Sequence, residues 1–207
     1  MPTDPLSTLA VATGGAFLGK FVGPAAEHYG KLALERAQLL GAKATAYLAA
    51  VGREPQAVEP KVLLPLVQAA SLETDETLAE KWAALLANAA DPAQRVQVQP
   101  PFVEVLRQLT PVQAKMLSQL YARERGVAVS EHAAPNPFIL GSMAQDLGLT
   151  KQEFALCVDN LLRLRLCAAL DGPYQMGPFK YPASPTSYLN PTVFGREFVR
   201  ACTPPAA

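Results

Sequence analysis

Apolar residues recur along this chain at three- and four-residue steps, in runs punctuated by proline and glycine, and that rhythm predicts a helical protein. The clearest run lies between Tyr29 and Val51. There Ala33, Ala37, Leu40, Ala44, Tyr47, Leu48 and Val51 line one face of a long amphipathic helix, which Gly52 closes. A connector from Arg53 to Glu59 leads to a short apolar run, Lys61 to Leu72, whose Pro65 predicts a helix that starts or kinks there. Thr74 is the expected cap of the next helix, with Asp75 and Glu76 at its positive end and Leu78, Trp82, Leu85, Leu86 and Ala89 on its apolar face. Asp91-Pro92 stops that run, and Trp82 reads as a core anchor. Pro100-Pro101 opens a helix burying Phe102, Val105, Leu106 and Leu109. Thr110-Pro111 opens another, burying Val112, Met116, Leu117, Leu120 and Tyr121.

Glu131 to Pro137 holds two prolines and an asparagine and reads as a linker. Beyond it, Ile139, Leu140, Met143, Ala144 and Leu147 predict a short helix ended by Gly148. Thr150 and Glu153 have capping-box spacing for a second helix, with Phe154, Val158, Leu161 and Leu162 on its apolar face. Two short helices joined by Gly-Leu-Thr spell a helix-turn-helix. Leu166 to Leu170 and Tyr174 to Met176 predict a hairpin around Asp171-Gly172. Asn190-Pro191 is expected to begin a last helix with Val193, Phe194, Phe198 and Cys202. The predicted fold class is therefore mainly α: a helical N-terminal bundle followed by a winged-helix-like C-terminal subdomain with a small β-hairpin. Three parts are expected, an apolar Gly/Ala-rich segment over 1–28, a helical domain over 29–126 and the winged-helix-like subdomain over 138–203.

The first of these parts carries a question of function. From Pro5 to Ala26 the only charge is Lys20, and Gly15, Gly19 and Gly23 fall at spacing four, with Phe17 and Phe21 among them. Small residues so spaced share a helical face and allow close helix approach, as in membrane helix packing. These five residues are the candidates for membrane contact or self-association. The alternative is a packed or flexible N-terminal helix that Pro24 interrupts.

Charge changes the picture next. Among 207 residues, 18 basic side chains balance 18 acidic ones. Binding to phosphates usually shows a basic surplus, so the balance weighs against nucleic acid as the main partner. The helix-turn-helix nevertheless offers candidates: Lys151 and Gln152 at the start of its second helix, Arg163 and Arg165 at the far end. A protein-binding or dimerising role for this part is favoured over DNA reading.

Catalytic patterns are absent from the sequence: no phosphate loop, no nucleophile elbow, no metalloprotease pair of histidines. Cys157, Cys167 and Cys202 stand far apart and read as small core residues. His28 and His132 lack ligand-type neighbours. Glu73, Asp75, Glu76 and Glu80 read as solvated charges compensating a helix dipole. The expectation is a protein that is not an enzyme, with no cofactor, metal or small-molecule substrate, acting through a protein partner or as a homo-oligomer. The start of the chain has no signal-peptide pattern, which predicts a cytoplasmic location, with membrane association through residues 5–26 left open.

Several segments carry a resemblance. They are Phe21-Val22-Gly23-Pro24-Ala25-Ala26-Glu27 before the long helix, Pro60-Lys61-Val62-Leu63-Leu64-Pro65-Leu66, and Ala70-Ser71-Leu72-Glu73. Glu80-Lys81-Trp82-Ala83-Ala84-Leu85-Leu86-Ala87-Asn88-Ala89 follows, then Pro101-Phe102-Val103-Glu104-Val105-Leu106 and Leu109-Thr110-Pro111. In this order they resemble the abortive-infection alpha family of bacterial defence proteins, over roughly Gly15 to Leu120. The Lys-Trp-Ala-x-Leu-Leu-Ala stretch is the most specific part, and the C-terminal part fits more loosely. The resemblance implies a role in limiting phage infection, commonly by arresting or killing the infected cell. It implies no catalytic residues. The competing reading from the residues alone is a DNA-binding transcriptional regulator.

Overall fold

The computed structural model describes residues 15–93, 97–124, 143–169, 175–176, 179–180 and 189–206, with side chains over 31–93, 97–122, 143–168, 189 and 191–206. The expected linker at 131–137, Ile139, Leu140, His132 and the Asp171-Gly172 turn lie outside the described residues, as does the side chain of His28. Helix α1 spans Gly15–Ala50, α2 Pro60–Ser71, α3 Glu76–Ala89, α4 Pro100–Arg107 and α5 Pro111–Glu124. A helical turn at 143–146 precedes α6 (Lys151–Arg163), and α7 is Val193–Ala201. Four short strands lie between α6 and α7: β1 (Cys167–Ala169), β2 (Gln175–Met176), β3 (Phe179–Lys180) and β4 (Leu189–Pro191). The architecture is mainly helical, as expected.

Local chemistry accounts for most of the boundaries. Gly52 (φ 70°) ends α1 in a left-handed turn, in which Gly52 N–H donates to Ala49 O and Arg53 N–H to Leu48 O. Gly148 ends its helical turn in the same way. The capping box of α6 is complete: Thr150 Oγ1 accepts from Glu153 N–H, and the Glu153 carboxylate accepts from Thr150 N–H. Thr110 and Gln113 reciprocate likewise at the start of α5.

Four expectations are corrected. Helix α1 begins at Gly15 and runs through Pro24 without a break. Helix α2 starts at Pro60, so Pro65 sits inside it rather than at its first turn. Thr74 does not cap α3. Asp75 does, its Oδ1 accepting from Leu78 N–H at 3.0 Å, while the Glu73 carboxylate takes the N–H groups of Thr74 and Asp75. The fourth concerns the strands. β1 pairs antiparallel with β4 in the register Cys167↔Pro191, and β2 pairs with β3, so the hairpin does not join 166–170 to 174–176. Asn190-Pro191 therefore belongs to a strand, and Thr192 caps α7 in its place, accepting from Gly195 N–H and donating to Arg165 O. The nearest turn signal had suggested a local pairing; the chain instead returns to β1 just before α7.

One core runs through both halves. Leu66, Trp82, Leu85, Phe102, Leu106, Met116 and Leu117 from the first half join Met143, Val158, Leu161, Leu166 and Phe198 from the second. Phe102 meets Phe194 and Phe198 edge-on, at ring-centroid distances of 5.4 and 5.7 Å. At Gly195, α7 crosses so closely that a Cβ would overlap Tyr121 Oη and Leu166 O. Val193, by contrast, is exposed, although it was expected on the apolar face of α7.

Trp82 is 1% exposed at the centre of this core. Trp82→Ala should cost about 3–5 kcal/mol. Leu156→Ala, at an exposed position, should stay within about 0.5 kcal/mol. Chemical denaturation of the purified variants measures both.

Candidate functional site

The densest polar arrangement lies where α1 crosses α3. Lys43 and Tyr47, one helical turn apart on α1, converge on Glu80 of α3: the ammonium donates to Oε1 and the phenol to Oε2. The Lys43 hydrogen bond, then that from Tyr47, holds the Glu80 carboxyl below its usual range. Burial, reinforced by the hydrogen bond to Glu80, pushes the Tyr47 phenol up to about 12. Glu80, still partly in solvent, is thus also a clamp between two helices, a role its sequence neighbourhood had not suggested. Beside it opens a shallow groove of about 520 Å³, lined by Tyr47, Glu76, Thr77, Glu80, Lys81, Cys202 and Pro204.

A second polar junction closes the same end of the molecule. Arg53, just past α1, pairs with Asp91 just past α3 at 2.7 Å, with both side chains largely buried. Its other terminal nitrogen donates to Ala206 O at 3.0 Å. Asn88, buried in α3, gives its side-chain amide to Ala84 O, Ala201 O and Thr203 O at 3.0, 2.9 and 2.8 Å. The end of α7 and the strap after it are thereby fixed to the stretch that also contains Trp82.

The sequence had nominated other residues, and their placement is different. Gly15, Gly19 and Gly23 lie on α1 twenty-five residues, about seven turns, upstream of Leu40, Ala44 and Leu48. They therefore occupy the same helix face that those residues bury against the core. Phe17 and Phe21 lie on the same helix, with side chains outside the described set. Lys151 and Gln152 are exposed at the start of α6. Arg163, about 18 Å along the axis from Lys151, donates to Asn160 Oδ1 at 2.7 Å and Gln108 Oε1 at 2.9 Å, fastening α6 to the end of α4. Arg165 follows α6 at φ 59°, the left-handed position that usually takes glycine. Its N–H donates to Leu162 O while Leu166 N–H donates to Leu161 O. Lys151 and Arg163 thus stand at opposite ends of α6.

Cys167 and Cys202 are buried, and burial pushes each thiol up to about 12; the half-buried Cys157 is raised too. All three are free thiols. Among the described residues, no group of three or more His, Cys, Asp or Glu side chains could hold a metal ion. No helix among them is long and apolar enough to cross a membrane.

The family model for abortive infection alpha matches residues 35–202, most of the chain. The chain belongs to the abortive infection alpha family. No curated protein and no solved structure matches it. The family match enters α1 at Glu35 and ends at Cys202, so it takes in the C-terminal part that resembled the family only loosely. It leaves residues 15–34 of α1 outside.

The clamp and the junction were not foreseen, although two signals pointed to them. Glu80 is the fifth residue of α3, beyond the first turn where a dipole acts on charge. Asn88 stands among buried alanines and leucines, where an amide needs partners.

The clamp predicts a pH dependence. Because the Glu80 pKa is lowered in the folded state, its contribution is present above the unfolded carboxyl pKa and is lost as pH falls through and below that range. Because the Tyr47 pKa is raised, its contribution is present below pH 10 and is lost as pH rises from 10 towards 12. Denaturant midpoints followed from pH 3 to 11 should show Glu80→Gln weakening the acid-side loss and Tyr47→Phe the alkaline one. Identical profiles for wild type and variants would refute the clamp. Separately, Arg165→Gly should stabilise the fold by about 0.5–1 kcal/mol in the same assay, by relieving the left-handed backbone.

Proposed function

We propose that this protein limits phage infection as an abortive-infection effector that works by protein contacts in the cytoplasm, without catalysis, and that the first half of α1 is its contact element. Membership of the abortive infection alpha family over residues 35–202 is the observation that carries the reading. Three features of α1 support the second part. None of the described side chains from Lys31 to Leu39 is buried, and Leu34 and Leu39 are each 61% exposed. The helix continues upstream of them to Gly15, and an isolated helix gains little stability in water without a packing partner. Gly15, Gly19 and Gly23 continue the packing face and would admit a second helix at close range. We read this as self-association through α1, and the C-terminal part, winged-helix-like in its element order, as a further protein-contact surface.

The test is phage plating on cells with and without the protein. Protection at low infection ratio with collapse of the culture at high ratio is expected. A chain lacking residues 1–26 should lose protection while keeping the thermal transition of the full chain. Full protection by that chain would remove α1's first half from the mechanism, and no protection by the intact chain across a broad phage panel would overturn the defence role. If lipid rather than a second copy covers this helix, deletion would abolish vesicle binding and leave the oligomeric state unchanged.

A further inference from the structure

We propose that the strap Thr203–Ala206 is a latch: docked, it holds the end of α1 on the core, and its release loosens α1. The inference rests on the reading of α1 as the contact element and adds how that element is restrained.

The strap leaves α7 under tight local control. Thr203 Oγ1 donates to Val199 O at 2.7 Å, and the Asn88 amide takes Ala201 O and Thr203 O, so the exit direction is set by a residue of α3. Pro204 and Pro205 then restrict the backbone, so docking the strap orders few free torsions. Pro204 reaches the groove edged by Tyr47 and Glu80, beside the α1–α3 clamp. Ala206 O accepts from Arg53 Nη2, whose Nη1 holds Asp91.

Arg53 is the point of transmission. Its N–H closes the last turn of α1 on Leu48 O, and its guanidinium binds α3's end and the strap together. Asp91 is 2% exposed and Arg53 13%, and a buried pair of this kind depends on every remaining hydrogen-bond partner. The strap supplies one such partner through a single neutral carbonyl on an exposed edge, a contact weak enough to open reversibly. The arrangement therefore joins an easily opened contact to a buried one at the root of the helix.

Amide hydrogen exchange on the whole chain tests the latch. A chain ending at Thr203 keeps α7 and the acceptors of Asn88, that of Thr203 now as the terminal carboxylate, and loses the contacts of 204–206. Exchange of residues 41–52 should rise about tenfold in that chain, with α4 and α5 unchanged. Arg53→Lys, which keeps a charge for Asp91 but cannot span both partners, should give the same rise, and combining the two changes should add nothing. If the shortened chain loosens throughout, the Arg53→Lys chain decides: a rise confined to 41–52 supports the latch. Unchanged exchange at 41–52, or strictly additive effects of the two changes, overturns it. In cells, the shortened chain should slow growth without phage. A rise in exchange with normal growth and unaltered phage plating would keep the latch and overturn the role given to α1.

Discussion

Half of helix α3 is buried, and much of the rest of the fold follows from covering it. Of its 14 residues only Glu76 is exposed; Leu78, Trp82, Ala83, Ala84, Leu85, Ala87 and Asn88 are buried. A helix with so many buried positions, spread over more than one face, must be covered by several neighbours, while Glu76, Glu80 and Lys81 keep a polar edge. α1 and α2, which precede it, pack against it, and so do α5 and α7, which follow it. Alanine at 83, 84 and 87 lets these helices come close, and Trp82 fills the volume that the small residues leave. The same enclosure explains why Asn88 matters. A buried amide without acceptors would be costly, and its acceptors are the carbonyls at the end of α7 and just beyond. The central helix thus dictates where α7 and its strap must stop.

Most of the helical architecture was legible because it rests on local rules. The stripe Leu40, Ala44, Leu48 has a strict period, Gly52 and Gly148 are the residues that a left-handed turn accepts at no steric cost, and Thr150 with Glu153 satisfies two orphan N–H groups reciprocally. The misreadings arose where two local rules competed or where distance intervened. Thr74 and Asp75 are both good caps, and Glu73 decides between them by occupying the two N–H groups before the helix. β1 passes over its nearest neighbour for β4 because Thr192 and Gly195 must meet Arg165 and Leu166, a constraint spanning more than twenty residues. Lys43, Tyr47 and Glu80 each had a satisfactory local reading, as polar flank, apolar stripe and dipole charge. Only the crossing of α1 over α3 brings the three together.

The nominated nucleic-acid residues show the same limit in reverse. Lys151, Gln152, Arg163 and Arg165 look related when written on a helix-turn-helix. In space, Arg163 bonds Gln108 and Asn160, and Arg165 takes the left-handed position that ends α6. A charge that fastens one helix to another is less available for phosphate than its count in a sequence implies.

A fold identified by its packing residues does not name an active centre, so action must be sought in what the packing leaves uncovered or holds only weakly. Two places answer to that description. Helix α1 runs on from the core with Leu34 and Leu39 in solvent, and the strap after α7 closes on Arg53 by one carbonyl. The strap reaches the opposite end of α1 from those leucines, at the junction with α3 where Arg53 pairs with Asp91 and closes the last turn of α1 on Leu48 O. Arg53 thus joins the end of α3 and the strap through one side chain.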